Sequence, residues 1–327
     1  MQNLSIRGGK TINKKIVALI MIIILVCTLP FLFYHNKSDY TSTFFSLDTI
    51  VSIKTDSNIA DTLKSEIQKF DTIYDIYSEN SEIYKLNEKK QLVCSNELTD
   101  MIKKTILAQS IYGNRLDITI GNVTKLWNCS IDNGALPDNS LIMRYLNKSG
   151  YENIDIKDNL ITLKNEISLD SGSVAKGYVL DYVSDIVKKS DAEYAIISLG
   201  SSTLLYSYDE QRSFNVMIKA DKDSIAGTVS TGPCFVSTSG DYERCVKLEN
   251  ISYHHILDNL TGYPADSGLS SVTVFCDNGL ISDFLSTLIF IEGKENLQKH
   301  LNTDEYSIVA IDSQGKIYKS ENLKFSS

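Results

Sequence analysis

Residues 16–34 form a run of 19 without a charge, almost wholly apolar, and that run divides the chain before any other feature is weighed. A helix rising about 1.5 Å per residue needs about 20 apolar residues to cross a bilayer core. The run therefore reads as a transmembrane anchor or a signal segment. Residues 1–36 hold Arg7, Lys10, Lys14 and Lys15 and no acid, and a basic flank of this kind stays on the cytoplasmic side. The expected layout is a basic cytoplasmic tail at 1–15, the span at 16–34, a linker at 35–44 and an extracytoplasmic domain at 45–327. The run is longer than the ~7–15 residues of a cleaved signal and lacks a small-x-small exit. Cys27 stands near its end as a lipoprotein cysteine would, but behind Val26, a poor residue for that position. A single uncleaved anchor in the cell membrane is favoured over a lipoprotein or a cleaved signal.

Beyond the tail and span the chain carries 28 basic against 41 acidic groups, a net −13. That balance argues against a nucleic-acid partner, and no nucleic-acid motif offsets it. With 43% apolar residues and only 4 Pro there is ample material for a packed core. No repeat or Pro/Gly/Ser-rich linker interrupts 45–327, so one domain is expected. Outside the span lie Cys94, Cys129, Cys234, Cys245 and Cys276, an odd number without CxxC or metal-ligand spacing. They read as small buried residues with at most one or two disulfides. Cys234 and Cys245, which flank one short segment, are the favoured pair.

Local periodicity outlines the elements. Residues 49–53 read as a strand. Ile59, Leu63, Ile67 and Phe70 recur at helical spacing behind Ser57 or Asn58 as a cap. Leu98, Met101, Ile102, Thr105 and Ile106 suggest a second helix that Gly113 ends. Residues 154–163 read as a hairpin around 157–159, residues 174–187 as a helix, and 194–199 as a buried strand. Alternation at Phe214, Val216 and Ile218 predicts a half-buried strand. Strands are also expected at 272–275 and 307–311, with a helix at 282–291 between them. Hairpins mixed with helices favour an α+β fold.

Five segments are able to carry chemistry, each with a plainer alternative. The stretch D-S-G-S-V-A-K-G-Y at 170–178 follows an expected strand at 167–169 and opens a helix. Small residues and free N–H groups at a helix start suit a phosphate, with Lys176 adding charge; an ordinary capped helix is the alternative. Asp283 and Thr287 are four apart, so on a helix their oxygens share one face, as hard donors for Mg²⁺ should; an N-cap and a packed Thr would look the same. His254 and His255 precede a Thr-Gly-Tyr-Pro turn, where one could serve as acid or base or both could be solvated. Residues 236–242 gather hydroxyls, Gly and Asp as polar contacts or a plain turn. Asp117 and Thr119 would share one face of a strand, functional or merely wet.

The order and spacing of these segments resemble the ApbE family, FAD:protein FMN transferases, over about residues 44–293. Residues 170–178 match D-x-G-x-[IV]-A-K-G-Y, and 238–242 match T-S-G-D-Y. His255 to Pro264 match H-I-[IL]-D-x-x-T-G-Y-P, and Asp283 to Thr287 match D-x-x-x-T. Residues 77–87 resemble an aromatic-x-x-x-S-E-I-x-x-L-N element. The resemblance implies a single ApbE-like, T-fold-like α+β domain with mixed or antiparallel sheets and packed helices, binding FAD and Mg²⁺ in a cleft. It implies Mg-dependent transfer of the FMN half of FAD to a Thr or Ser hydroxyl of an extracytoplasmic acceptor protein, with release of AMP. Ser173, Asp283, Ser286 and Thr287 then fall at metal positions. Leu47, Tyr77, Leu116, Asp117, Ile118, Thr119, Asp170, Lys176, Ser239 and Leu257 fall at FAD contacts. His255 and Asp283 take catalytic positions. Leu47-Asp48-Thr49 departs from the usual M-G-T, Gly200-Ser201-Ser202 from G-G-N, Trp127-Asn128-Cys129 from W-G-F, and Asn259-Leu260 from P-R. An FAD pyrophosphatase and a non-catalytic FAD-binding surface protein are the competing readings.

Overall fold

The computed structural model describes residues 39–242, 245–248 and 251–327, of which 39–327 make one compact unit. The tail and apolar run, and with them the expectations of an anchor or a lipidated Cys27, lie outside the described residues. Among the described residues no helix is long and apolar enough to cross a membrane.

In chain order, β1 (Tyr40–Ser46) and β2 (Thr49–Thr55) form a hairpin, followed by α1 (Ala60–Lys69), α2 (Asp71–Tyr74) and α3 (Glu82–Lys89). Next come β3 (Gln91–Val93), α4 (Asn96–Tyr112), α5 (Gly121–Asn133), α6 (Asn139–Leu146), β4 (Ile154–Lys157) and β5 (Leu160–Leu163). Helix α7 (Ala175–Lys188) leads into β6 (Tyr194–Leu199), β7 (Ser202–Ser207), β8 (Phe214–Lys219), β9 (Ile225–Thr231) and β10 (Cys234–Gly240). The chain closes with β11 (Cys245–Leu248), β12 (Ile251–His254), β13 (Leu269–Cys276), α8 (Gly279–Glu292), α9 (Leu297–Leu301), β14 (Ser307–Asp312), β15 (Ile317–Lys319) and β16 (Lys324–Ser326).

Eight strands make the main sheet in the order β1-β2-β6-β7-β10-β13-β14-β15, each neighbouring pair antiparallel. Successive side chains alternate faces, which sorts the apolar residues into two cores. Val51, Ile53, Ile197, Leu199, Leu204, Val272 and Val274 face the helices with Leu180, Val183 and Leu288. Leu205, Val236, Phe275 and Val309 face the other way, against Phe214, Ile218 and Val229 of the small sheet β16-β9-β8. The result is helices, a central sheet and a partial second sheet. Helix α8 is buried along its length, its polar groups Ser282, Asp283, Ser286 and Thr287 gathered on one side and nearly all the rest apolar, as a helix sealed inside a domain requires.

Several expectations need correction. Strand β1 begins at Tyr40, so residues 40–44 belong to the sheet rather than to a linker. Helix α1 has Ile59 at its N-cap without a side-chain bond, because the Ser57 hydroxyl donates to Asp191 instead. Residues 167–169 form no strand; Ser168 makes one bridge to Ile120, and the Asn87 amide takes both backbone groups of Leu169, at 2.7 and 2.9 Å. Residues 116–119 are a turn, in which Asp117 Oδ1 accepts from the Thr119 N–H at 2.8 Å. Cys234 and Cys245 are not joined in a disulfide. Cys234 opens β10 whereas Cys245 lies beyond its far end, so a strand's length separates them.

Candidate active site

The site begins at the crossing of α7 and α8. A Cβ at Gly177 would sit 2.1 Å from the Gly279 carbonyl oxygen, and one at Gly279 would sit 2.4 Å from that of Gly177. Only glycine allows the two backbones so close. Asp181 of α7 secures the contact by accepting from the Gly279 and Leu280 N–H groups at 2.6 and 2.9 Å, and burial pushes its carboxyl above the usual range.

This approach delivers Asp283. Its Oδ2 accepts from the Gly177 N–H at 2.9 Å and its Oδ1 from the Ser202 hydroxyl at 2.8 Å. The residue is 4% exposed, and no basic side chain of the described residues pairs with it. A buried carboxylate without a counter-charge is costly. One turn on, Thr287 Oγ1 lies 3.0 Å from Ser239 Oγ, and both residues line the same opening as Asp283. The half-buried Ser173 sits across it in the turn before α7. Ser286 lies one hydrogen bond behind the opening; its Oγ is 2.9 Å from Ser239 Oγ, and the hydroxyl donates back to the Asp283 carbonyl at 2.9 Å. Among the described residues no three His, Cys, Asp or Glu side chains gather to hold a metal. The available donors are one carboxylate with hydroxyl and backbone oxygens, a set that fits a hard cation such as Mg²⁺ keeping waters or phosphate oxygens of its own.

At the start of α7 Val174 supplies no side-chain cap; the Ala175 N–H bonds the Ser171 carbonyl at 2.9 Å and the Gly177 N–H bonds Asp283, so the carboxylate itself sits on the positive end of the helix dipole. Asp170 Oδ1 accepts from Gly172 N–H at 2.9 Å and shapes the turn. Lys176 donates to the Gly172 carbonyl at 3.2 Å, with its ammonium beside the cleft.

The two histidines part company. His254 ends β12; its Nε2 lies 3.0 Å from the Ala265 carbonyl, and its Nδ1 accepts from the Ile256 N–H at 3.2 Å. That pattern needs a neutral ring with the proton on Nε2, and burial pushes its pKa below the usual value. His255 follows the strand, is exposed and lines the cleft, as does Leu257.

The turn after them is held from two sides. Asp258 Oδ1 accepts from Leu260 N–H at 2.9 Å, while its Oδ2 pairs with Arg115 at 2.6 Å. Asn259 donates to the Asn114 carbonyl at 2.6 Å, and Trp127 Nε1 donates to the Gly262 carbonyl at 2.7 Å. Two segments expected to contact one ligand are thus tied directly together. Leu116 and Asp117 line the cleft, and burial raises the Asp117 carboxyl. Ile118 and Thr119 do not; they are 3% and 1% exposed, and Thr119 Oγ1 accepts from Gly150 N–H at 2.7 Å. They shape the turn from behind.

Leu47 lies in the two-residue turn of the β1–β2 hairpin, where it and Asp48 have φ of 51° and 55°. Both positive angles suit a type I′ turn, and an Asp tolerates that region. Asp71 braces the turn by accepting from Ser46 Oγ at 2.8 Å and Leu47 N–H at 2.6 Å. Tyr77 reaches over the cleft, its hydroxyl 2.5 Å from Asn128 Nδ2.

Of the residues expected to contact FAD, the cation or the reacting groups, all except Ile118, Thr119 and Ser286 border one continuous cleft of about 1600 Å³. That exceeds the roughly 300–1,000 Å³ of a pocket for one small ligand, and leaves room for a dinucleotide and a second reactant. The cleft wraps the end of the main sheet. Ser239 and Asp283 lie on the helix side, Ile196, Ser198, Thr203 and Leu205 on the opposite face, and the Gly200–Ser201 turn between them. Sequence reasoning missed Gly177, Asp181, Ser202, Asp71 and Arg115. A Gly in the first turn of an expected helix was the one local signal among them.

The ApbE family model matches residues 47–311. The FAD:protein FMN transferase of Klebsiella pneumoniae is 26% identical over 249 residues, covering 73% of this chain and 77% of the relative. That of Vibrio cholerae is 24% identical over 263 residues, covering 76% and 78%. Among solved structures, the ApbE protein of Thermotoga maritima superposes with a TM-score of 0.80 at 26% identity, over 87% of this chain and 97% of that one. The flavin transferase ApbE from Vibrio cholerae superposes at 0.74 and 20% identity, a likeness of fold.

Proposed function

The chain belongs to the ApbE family, and from that premise we propose that it transfers the FMN half of FAD to a Thr or Ser hydroxyl of an acceptor protein. The observation that carries this reading is the buried Asp283, beside Thr287 and bonded to the first turn of α7, at the border of a cleft large enough for two reactants.

In the reaction the acceptor oxygen forms a bond to the FMN phosphorus. The bond from that phosphorus to the bridging oxygen breaks, and AMP departs with that oxygen. The hydroxyl proton leaves to a base. A Mg²⁺ held by Asp283, Thr287 and a backbone oxygen near Ser173 would neutralise charge on the diphosphate. The Lys176 ammonium beside the cleft would supply positive charge as the leaving AMP gathers negative charge. Asp170 keeps the turn before α7 in shape. His255 stands at the cleft as the candidate base, while neutral His254 braces the backbone behind it. Leu47, Tyr77, Leu116, Asp117 and Leu257 form the walls that hold the flavin nucleotide.

The apolar run at 16–34 behind its basic flank supports a membrane-anchored enzyme acting on extracytoplasmic acceptors. Protease treatment of intact cells should then remove the domain.

The decisive assay incubates the chain with FAD, MgCl₂ and a candidate acceptor protein, and follows intact mass and AMP together. An acceptor heavier by one FMN, with matching AMP, is the expected result. AMP formed with free FMN and no labelled protein would select a pyrophosphatase instead.

A further inference from the structure

The transfer needs a second reactant, and part of the cleft is not bordered by the groups assigned to FAD and the cation. That part lies on the outer face of the main sheet. Its floor is Ile196, Ser198, Thr203 and Leu205, and one wall is β8. Strand β8 is the end strand of the small sheet β16-β9-β8, with β9 on one side and, among the described residues, no strand on the other. Successive strand residues point to opposite faces. Yet the consecutive residues Phe214, Asn215, Val216 and Met217 all border the cleft, so the open edge of the strand, rather than one face, is turned to it.

An unpaired edge of this kind accepts another extended chain. Phe214 and Ile218 anchor β8 in the core below, leaving Met217 66% exposed. Phe45, which also borders the cleft, and its cross-strand partner Ile50 stand on the outer face of β1 and β2, 67% and 66% exposed. Apolar side chains thus flank a backbone edge that runs continuously into the reaction cleft.

We propose that the acceptor protein presents its hydroxyl on an extended segment that adds as a fourth strand to the free edge of β8, between Met217 and the Phe45–Ile50 pair. The proposal rests on the transfer reading. It commits to an acceptor polypeptide because the groove is continuous with the cation and phosphate end of the same cleft, where a reacting hydroxyl has to arrive. Backbone pairing holds the segment, and the Gly200–Ser201 turn lets its hydroxyl reach round the sheet end.

The probe is a synthetic peptide with one central Thr in a β-favouring sequence, made unmodified and with N-methyl groups on alternate backbone amides in each of the two frames. FMN on the peptide is read by mass and AMP is measured in parallel. One-edge pairing predicts that the unmodified peptide is labelled, that one methylated frame is labelled and that the other is not. Met217→Asp, a change at an exposed site, should raise the peptide KM about ten-fold or more while leaving the FAD KM nearly unchanged. Equal labelling in both frames, or an unaltered peptide KM in Met217→Asp, overturns the docking. So does a chain that converts FAD to AMP and labels no peptide. A wild-type chain that releases no AMP with any acceptor overturns the transfer reading itself, and the docking falls with it.

Discussion

The Gly177 N–H donates to Asp283 Oδ2 at 2.9 Å, joining residues 106 apart in sequence across a crossing that only glycines permit. The bond sets the carboxylate at the cleft and takes up an N–H in the first turn of α7. Gly177→Ala places a methyl 2.7 Å from Asp283 Cβ and against the Gly279 carbonyl, both in regular helix. We expect a stability loss of about 1–3 kcal/mol with FMN transfer largely abolished. Thermal melts and transfer assays on one preparation check this; an unchanged melt with full transfer contradicts the crossing.

Asp283→Asn separates charge from shape. The Asn oxygen is able to accept from Gly177 and its amide to donate to Ser202, so the fold should melt near the wild-type temperature. Transfer should fall by at least about 10²-fold, since a cation bound there would lose the Asp283 charge. EDTA should stop the wild-type reaction and added Mg²⁺ restore it. Normal transfer by the variant would remove Asp283 from the metal site.

Trp127 Nε1 holds the Gly262 carbonyl at 2.7 Å, and this bond ties the turn after Leu257 to α5. Trp127→Phe keeps a ring in place but strands that carbonyl. The expected cost is about 1–3 kcal/mol, with weaker FAD binding measured by flavin fluorescence. Unchanged FAD affinity would detach this turn from the flavin pocket.

His254 makes stability depend on pH. Its folded pKa is pushed below the unfolded value of 6.5 by burial. Between those two values the unfolded chain binds more protons, so stability is fully present above 6.5 and is lost as pH falls toward the folded pKa. Protonation also ends acceptance from Ile256 N–H at Nδ1. His254→Gln should lack this component of acid sensitivity in melts taken on either side of pH 6.5. Identical pH profiles for the two proteins would refute the role.

Local pattern made much of the molecule legible. The apolar periods at 174–187, 194–199 and 282–291 describe α7, β6 and α8 within a few residues, because each buries a face whatever its neighbour is. The ordered motifs located Asp283, Thr287, Ser239 and His255 on one cleft. Where short segments could pair with the backbone or with a side chain, the reading failed. Residues 167–169 look like a strand, yet Asn87, 82 residues earlier, occupies the backbone of Leu169.

By itself, then, the sequence determined which segments are helix or buried strand, which oxygens share a helical turn, and that the acidic domain follows a basic-flanked apolar run. Tertiary structure alone decided that Gly177 and Ser202 orient Asp283, that Arg115 grips Asp258 from 143 residues away, and that Thr119 and Ser286 turn from the cleft. Periodicity records which face of an element is apolar. The partner of a given hydrogen-bonding group depends on which distant backbone arrives beside it, and no local pattern encodes that arrival.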